Sequence, residues 1–415
     1  MRNMRKAVAA VIILCLCLAG CSSGKGKEET DRNLVRERIV LWTYYETADQ
    51  KESLDELTEG FNEAQDKYHL TWEYQGPVTE FNKKIAIGIT QNQLPDMVII
   101  DNPDMRKYVD QGTFEDLTDE ISGMEYLDEY YPNVLSSVIY DGKYYGLPFC
   151  CNNAALIYNP EIFEAEGVEV PTSWDEFLEC AKKLTNEERK GFAMSAIEGE
   201  QGVFQVLPFI LSAGDDIDSV GGKGTEEAFT LMKQLVDMGA MSKDCINWSQ
   251  NDVARKFIDG ECAMMQNGPW VLPALDKSGV SYKIATLPYK FRSVAVAGGE
   301  NIGVLKGKNI DGAIAFMEYY NSGRIMLEAN LKANSLPPRK DMAEQMARER
   351  TEYEIFEKQM GQCISRSSYE QWPQITGLLS DAQFQIITGQ RSPGEVCQEI
   401  QNKENKKEDS STAER

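Results

Sequence analysis

Short apolar segments and amphipathic segments alternate in the first part of the chain, and this alternation restricts the possible folds more than any other feature. Residues 39–42 are apolar, apolar positions recur at helical spacing within 54–61, and 68–74 alternate as a strand. A second helical repeat follows at 81–89, and 97–100 are continuously apolar, as in a strand buried on both faces. The pattern predicts a β-α-β-α-β opening and an α/β fold whose sheets are covered by helices.

The N-terminus has the pattern of a secretory signal. Arg2, Arg5 and Lys6 precede an apolar run at 7–18. A run of this length is too short to cross a membrane and is typical of signals that are removed after export. We therefore expect the mature chain to act on solutes outside the cytoplasm.

A lipid anchor is predicted at the end of this signal. The residues at 18–21, Leu-Ala-Gly-Cys, resemble the lipobox of bacterial lipoproteins, in which the cysteine becomes the lipid-modified first residue. The resemblance implies that 1–21 is a lipoprotein signal peptide and that Cys21 carries the lipid. Residues 22–38 contain almost no apolar side chains, which predicts a flexible tether. The expected location is the outer face of the cytoplasmic membrane, extracellular or periplasmic, with attachment through Cys21 alone.

Charge and length narrow the classes of partner. The chain has 43 basic and 66 acidic residues and a net charge of −23, which repels phosphate backbones and anionic headgroups. We therefore expect no nucleic acid and no direct membrane-surface binding, although an acidic surface could gather cationic solutes. The chain is also far longer than one domain of about 100 to 200 residues, which predicts two lobes.

The scarcity of histidine excludes several kinds of catalytic and metal site. His69 is the only histidine, so imidazole-based triads and multi-histidine metal sites are ruled out. Apart from Cys15, Cys17 and Cys21, the cysteines show no repeated spacing, which is poor evidence for a disulfide framework. We expect no catalytic residue, no metal and no cofactor.

Ten segments, taken together and in order, carry a family resemblance. They are 41–46, 94–101, 112–118, 141–148, 157–160, 171–177, 257–265, 268–270, 298–301 and 336–339. Each segment alone is weak evidence for a family. Together they occur in the expected order over nearly the whole mature chain. The sequence resembles the extracellular solute-binding lipoproteins of carbohydrate-type ABC importers, the family that includes maltose-binding protein.

The resemblance implies a two-lobed periplasmic-binding-protein-like fold of type II. Each lobe would be a mostly parallel sheet flanked by helices, with a cleft between the lobes. The chain would cross between lobes near 146–151, near 286–289 and near 334–339. The implied division is 39–148 and 289–335 for the N-terminal lobe, 149–288 and 336–402 for the C-terminal lobe, and 403–415 for a disordered tail.

The same resemblance implies a function without covalent chemistry. A monomer would capture a sugar or oligosaccharide by lobe closure and deliver it to the transmembrane subunits of an ABC permease. A ligand that touches both lobes stabilises the closed form by its differential affinity, and an importer can recognise that form.

Carbohydrates present flat C–H patches and many hydroxyls, so their sites offer aromatic faces with carboxylates or amides. Trp270, on a Gly-Pro-Trp turn after a strand, is the best stacking candidate, and the alternative is a core tryptophan. Tyr44, Tyr45 and Glu46 follow the first strand at its carboxyl end, where open α/β sheets bind ligands. We expect at least one of them to face the cleft.

The polar candidates lie at strand ends and at the predicted crossings. Asp101 could accept two hydroxyl hydrogen bonds or cap the next helix. Asn153 could offer its amide to a ligand or bond within a hinge. Gly299 lets backbone approach a ligand beside Glu300, or belongs to an ordinary turn. The weaker candidates for ligand binding are Asn152, Glu198, Trp248 and Trp372.

Two other functional classes remain open at this point. A receptor for a cationic solute such as a polyamine, or for a peptide, would suit an acidic cleft with aromatic residues around an ammonium group. A secreted glycoside hydrolase would also use aromatic platforms and two carboxylates. With 66 acidic residues such a pair carries no specificity, and no nucleophile motif supports an enzyme.

Overall fold

The structure is a computed structural model that describes the backbone of residues 36–413 and the side chains of residues 36–403. The predicted signal peptide, Cys21 and most of the predicted tether lie outside the described residues. The first strand begins at Glu37, inside the stretch 22–38 that was predicted to be a tether.

The described residues form two larger sheets and two small ones. The strands are β1 Glu37–Thr43, β2 Tyr68–Tyr74, β3 Met97–Asp101, β4 Ile139–Tyr140, β5 Lys143–Tyr144, β6 Gly146–Pro148, β7 Ala155–Tyr158, β8 Lys190–Ala193, β9 Cys262–Asn267, β10 Lys283–Ala285, β11 Val296–Ala297, β12 Glu300–Val304 and β13 Ile364–Ser365.

Helices cover both larger sheets. They are α1 Ala48–Ala64, α2 Val78–Gln91, α3 Asn102–Asp110, α4 Thr118–Ile121, α5 Pro132–Leu135, α6 Pro160–Glu166, α7 Trp174–Leu184, α8 Glu200–Ser212, α9 Lys223–Asp237, α10 Gln250–Ile258, α11 Leu272–Ser278, α12 Ile310–Tyr320, α13 Ile325–Ala333, α14 Lys340–Glu349, α15 Glu354–Met360, α16 Trp372–Thr388 and α17 Pro393–Ala413. Short 3₁₀ helices occur at Leu127–Glu129, Ser136–Val138, Ile217–Ser219, Lys243–Asn247, Pro269–Val271 and Thr351–Tyr353.

The first sheet has five strands in the order β2-β1-β3-β12-β6, and the lobe around it is called the first lobe. The predicted β-α-β-α-β opening is confirmed, because β1 pairs in parallel with both β2 and β3. Strand β12 pairs antiparallel with β3 and with β6. The sheet is therefore mixed rather than mostly parallel.

The second sheet has four strands in the order β10-β7-β9-β8, and the lobe around it is called the second lobe. Only β8 and β9 run parallel, whereas β7 is antiparallel to both of its neighbours. The expectation of mostly parallel sheets is wrong here as well. Both sheets include strands that enter from a crossing between the lobes, and such strands arrive without a preceding crossover helix.

Three stretches of chain that join the lobes lie side by side and pair with one another. Cys151 and Leu336 exchange two backbone hydrogen bonds of 2.8 and 2.9 Å, and Asn152 and Gly298 exchange two of 3.0 and 2.8 Å. The hinge therefore consists of backbone hydrogen bonds among segments that are distant in sequence. Such a bundle can bend while its hydrogen bonds persist.

The second of these stretches lies later in the chain than the sequence predicted. Tyr289 donates its backbone N–H to the carbonyl of Thr172, and Phe291 donates to Ser212, so both residues still pack in the second lobe. The chain pairs with the first sheet only from Glu300 onward. The crossing predicted near 286–289 is thus misplaced, because the chain after β10 first packs along the second lobe.

Local sequence signals located several helix ends correctly. Ser173 and Glu176 form the predicted capping box before α7. Helix α16 ends at Gly389, which has a φ of 77° as the predicted left-handed cap requires. The backbone of α17 continues as helix to Ala413, where a disordered tail from 403 had been predicted.

Within residues 36–413, no helix combines the length and the apolar character that crossing a membrane requires. The seven cysteines in this part of the chain are all unpaired and buried.

Candidate functional site

One edge of the first sheet brings together three predicted site residues. Strands β1 and β3 are parallel, so Tyr44 and Asp101 emerge at the same edge. Strand β12 runs the other way and begins there, which places Glu300 directly opposite Asp101 in the ladder. These three residues lie together at the strand ends where open sheets bind ligands, and we call this group the first-lobe wall.

Glu300 is the centre of a hydrogen-bonded cluster on this wall. Tyr44 donates its hydroxyl to Glu300 Oε1 at 2.8 Å, and the Cys150 thiol donates to Glu300 Oε2 at 2.6 Å. Burial raises the pKa of the Glu300 carboxyl, and these two hydrogen bonds lower it in part. Burial and the nearby carboxylate also raise the pKa of Tyr44 and of Cys150, so both remain protonated donors.

Asp101 differs from Glu300 because its carboxylate accepts no hydrogen bond from residues 36–403. It stands immediately before α3 but does not cap that helix. Burial raises its pKa well above the usual value, while the guanidinium of Arg366 acts in the opposite direction. A desolvated acceptor without a partner at a strand end is suited to meeting hydroxyl or ammonium donors.

Aromatic residues form a second group in the second lobe, which we call the second-lobe wall. Trp270 follows β9, whose carboxyl end lies at the edge of the second sheet next to the crossing stretches. Its ring lies 6.4 Å from that of Phe204, and its indole N–H is buried without a partner among the described residues. The Trp270 ring lies directly against the backbone of Gly268. Only glycine permits this contact, because an added Cβ would lie 2.0 Å from the ring.

Arg366 and Glu200, which sequence reasoning missed, hold this wall together. Arg366 donates from Nε to Glu200 and from Nη1 to the backbone carbonyl of Ala297. Its guanidinium lies 4.8 Å from the centre of the Phe204 ring and 5.9 Å from that of Trp372. No local pattern marks an arginine between β13 and α16 as special, because its partners lie far away in sequence.

The two walls face each other at close range. Helix α3 of the first lobe contacts α16 of the second. The charges of Glu200 and Arg366 both act on the pKa of Asp101 and of Asp104, which lies in the first turn of α3. The lobes are therefore close together on this side, with polar and aromatic groups between them.

Two of the predicted site residues do not line the cleft. Asn153 is 0 % exposed, and its amide bonds to the carbonyl of Phe356 and to Gln359. It is a packing residue of the hinge, which corrects its prediction as a ligand contact. Tyr45 is also buried, where its hydroxyl meets the Cys150 thiol at 3.4 Å and supports the cluster around Glu300.

Glu46 lies two residues before α1, and its side chain is exposed. Its backbone N–H donates a hydrogen bond to the side chain of Gln50. Gly299 has a φ of 123° and accepts a backbone hydrogen bond from Asn102, so it shapes the hinge beside Glu300. A side chain at Gly299 would collide with the carbonyl of Cys150, which explains the glycine.

The weaker candidates divide into cleft, surface and core positions. Asn152 lies at the hinge next to Gly298 and is partly buried. Glu198 is exposed, and the residue that reaches the cleft wall is Glu200, two positions later. Trp248 is partly buried beneath the Lys256 ammonium. Trp372 is 2 % exposed and donates its indole N–H to Glu200, so its ring is not a free stacking face.

A groove on the second lobe is separate from this cleft. It has a volume of about 390 Å³ and lies between α7 and α9, lined by Trp174 and Lys290 among others. Among residues 36–403, no group of three or more His, Cys, Asp or Glu side chains is placed to hold a metal ion.

Comparison with protein families gives a match to most of the described chain. A family described as bacterial extracellular solute-binding protein matches residues 56–357. Among curated relatives, the multiple sugar-binding protein of Streptococcus mutans is 21 % identical over 333 residues, or 74 % of this chain and 76 % of the relative. The sn-glycerol-3-phosphate-binding periplasmic protein UgpB of Rhizobium meliloti is 22 % identical over 308 residues, covering 68 % and 70 %.

Solved structures share the fold along most of the chain. The GacH receptor of Streptomyces glaucescens, crystallised unliganded and with acarbose, superposes with a TM-score of 0.80 at 22 % identity and covers 89 % of this chain and 98 % of its own. Maltose-bound MalE3 of T. maritima gives 0.78 at 20 % identity, covering 88 % and 98 %. The predicted two-lobed type II fold is confirmed, with the correction that its sheets are mixed.

Proposed function

The chain belongs to the family of bacterial extracellular solute-binding proteins, and from that premise we propose that it captures a sugar or oligosaccharide in the cleft between its lobes. Lobe closure would bury the solute, and an ABC permease would receive it. The two relatives named above are solute-binding proteins and not enzymes. This agrees with the expectation that the chain binds its solute without catalysing a reaction. The predicted lipid at Cys21 would hold the protein at the outer face of the membrane.

One observation carries the proposal of a sugar. Acceptors and donors stand on both walls at the strand ends, with Asp101 and Glu300 on one side and Trp270 beside Phe204 on the other. Hydroxyls can donate to the carboxylates, while a pyranose face can stack on an indole. The multiple sugar-binding relative supports the same class of ligand.

The charge in the cleft argues against an anionic solute such as glycerol phosphate, which a second relative is named for. Asp101 and Asp104 stand near the guanidinium of Arg366, which is already bonded to Glu200. A phosphate would lose its water in this buried space with no charge left over from that ion pair to offset its own, which is strongly unfavourable. We therefore expect a neutral sugar.

The carboxyl groups of Asp101 and Glu300 support a second candidate, a cationic solute such as a polyamine. An ammonium group beside them would favour their ionised forms and pair with them. Salt separates the two, because screening weakens the binding of a cation and hardly affects a neutral sugar.

A melting-temperature screen tests the proposal. Purified protein would be heated with mono-, di- and oligosaccharides, polyamines, peptides and sugar phosphates. A ligand that binds only the folded state raises its stability by mass action. A shift with sugars alone supports the proposal, whereas a shift with polyamines alone replaces it with the second candidate. Release of reducing sugar from an oligosaccharide would instead indicate a hydrolase.

Substitution of Trp270 then locates the site. We expect Trp270→Ala to abolish most of the shift given by the best sugar. The matched control is Trp72→Ala, because Trp72 is partly buried in the first lobe and bonds to Asp55 away from the cleft. That control should lower the baseline melting temperature and leave the shift intact. An undiminished shift in Trp270→Ala would place the solute elsewhere.

A further inference from the structure

Tyr74 is an exposed aromatic residue at the carboxyl end of β2. It is 39 % exposed, more than any other tyrosine or tryptophan among residues 36–403. Its strand is the outermost of the first sheet and pairs in parallel with β1, where Tyr74 lies beside Thr43. The next residue, Gln75, donates its backbone N–H to the carbonyl of Thr43 at 2.9 Å. Tyr74 therefore stands next to the point where Tyr44 enters the first-lobe wall.

The order of the strands extends the first-lobe wall outward in one line. Strands β2, β1, β3 and β12 are neighbours in that order. At their shared edge, each of the four carries one residue at or directly after its end, namely Tyr74, Tyr44, Asp101 and Glu300. Neighbouring strands lie about 4.8 Å apart, so two spacings, about 10 Å, separate the backbones of Tyr74 and Asp101. A single pyranose ring is too short to bridge that distance, whereas a chain of linked rings can follow the edge.

Polar groups surround the Tyr74 ring. The Lys51 ammonium lies 4.4 Å from the centre of the ring. The Glu80 carboxylate lies against the backbone of Gly76, two residues after Tyr74, where an added Cβ would be 2.6 Å from Oε2. Partial burial and the carboxylates of Glu46 and Glu80 raise the pKa of Tyr74, so its hydroxyl remains a donor. The ring is thus accompanied by two acceptors and an ammonium donor, which are groups that bind sugar hydroxyls.

From this placement we infer that Tyr74, Glu46 and Glu80 form an outer subsite, and that the solute is an oligosaccharide rather than a monosaccharide. The inference rests on the proposed function and specifies its solute. An inner unit would lie at the first-lobe wall, and an outer unit would stack on the face of the Tyr74 ring that Lys51 leaves open. The exposed carboxylate of Glu46 would then accept hydroxyls of the outer unit.

Titration calorimetry with oligosaccharides of increasing length tests the subsite. The probes are malto-, cello- and xylo-oligosaccharides, each from the monomer to the pentamer. In the series that binds, a dimer or trimer should bind about tenfold more tightly than the monomer, because only the longer sugar reaches Tyr74. Tyr74→Ala should remove most of this gain and leave the affinity for the monomer within about twofold. Tyr74→Phe keeps the ring and should retain the gain.

Phe291→Ala is the matched control. Phe291 is 68 % exposed, and its backbone N–H bonds to Ser212 at the end of α8 that lies away from Glu200. Removal of this exposed ring should leave every affinity unchanged. Glu46→Ala is the second variant if Tyr74→Ala proves unstable, since the Glu46 side chain is exposed. It should weaken the longer sugars about fivefold and spare the monomer.

The failure of the subsite can be told apart from the failure of the proposed function. Equal affinities for the monomer and the longer sugars would overturn the subsite and leave the proposed function standing. An intact gain in Tyr74→Ala, or an equal loss for monomer and dimer, would do the same. Binding of no sugar in any series would remove the proposed function, and the subsite with it.

Discussion

Tyr44 donates a 2.8 Å hydrogen bond to Glu300, although 256 residues separate them in the chain. The contact joins the end of β1 to the start of β12 on the wall of the cleft. Together with the thiol of Cys150, it satisfies both oxygens of a carboxyl that burial makes reluctant to ionise. The first-lobe wall is thus assembled from neutral donors around one acid.

This arrangement predicts how stability depends on pH. The pKa of Glu300 is raised above its ordinary value of 4.5, so the folded state keeps a proton that the unfolded state has released. The free energy of unfolding should therefore fall as pH rises above 4.5. Urea unfolding should show a shallower fall in Glu300→Gln. The control is Glu187→Gln at an exposed position, and identical slopes in all three proteins would contradict the prediction.

Replacement of Gly299 in the hinge should lower the stability of the protein strongly. Its φ is 123°, and an added Cβ would lie 2.3 Å from the carbonyl of Cys150. Gly299→Ala combines backbone strain with a collision against the neighbouring stretch, so it should lower the free energy of unfolding by about 4 kcal/mol.

Gly307 supplies the comparison for Gly299. It also has a positive φ, 72°, but no atom lies within 4 Å of an added Cβ. Gly307→Ala should cost only about 1 kcal/mol, the ordinary penalty for a left-handed residue. Equal losses in urea unfolding for both variants would show that the hinge tolerates a side chain.

Gly268 controls the position of Trp270. Because an added Cβ would overlap the indole, Gly268→Ala should displace the ring and weaken binding of the best sugar about tenfold, measured by titration calorimetry. The control is Gly377→Ala in α16, where nothing lies within 4 Å and a helical alanine should add about 1 kcal/mol of stability. Unchanged affinity in Gly268→Ala would mean that Trp270 does not touch the solute.

Glu176 should contribute to stability in acid. It accepts hydrogen bonds from the backbone N–H groups of Thr172 and Ser173, which lower its pKa to about 2. This stabilisation is complete above the ordinary value of 4.5 and is lost as pH falls toward about 2. Melting curves across this range should decline less in Glu176→Gln than in Glu179→Gln, which alters an exposed residue of the same helix. A steeper decline in Glu176→Gln would contradict the assignment.

Local patterns in the sequence predicted the features that depend on near neighbours. The capping box at Ser173 and the stop at Gly389 are set by hydrogen bonds within a few residues, so their positions could be read directly. The strand ends at Tyr44 and Asp101 followed from the buried strands before them. The position of the second crossing could not be predicted this way, because Tyr289 and Phe291 have partners more than 70 residues earlier.

The sequence by itself determined the class of fold, several helix boundaries and which strand ends would present polar and aromatic residues. Tertiary structure alone decided that Arg366 meets Glu200 across 166 positions, that Cys150 donates to Glu300 across 150, and that Asn153 points into the hinge rather than the cleft. The physical reason is that periodicity records which face of an element is buried. Which side chains then meet depends on how the crossing stretches set the lobes against each other.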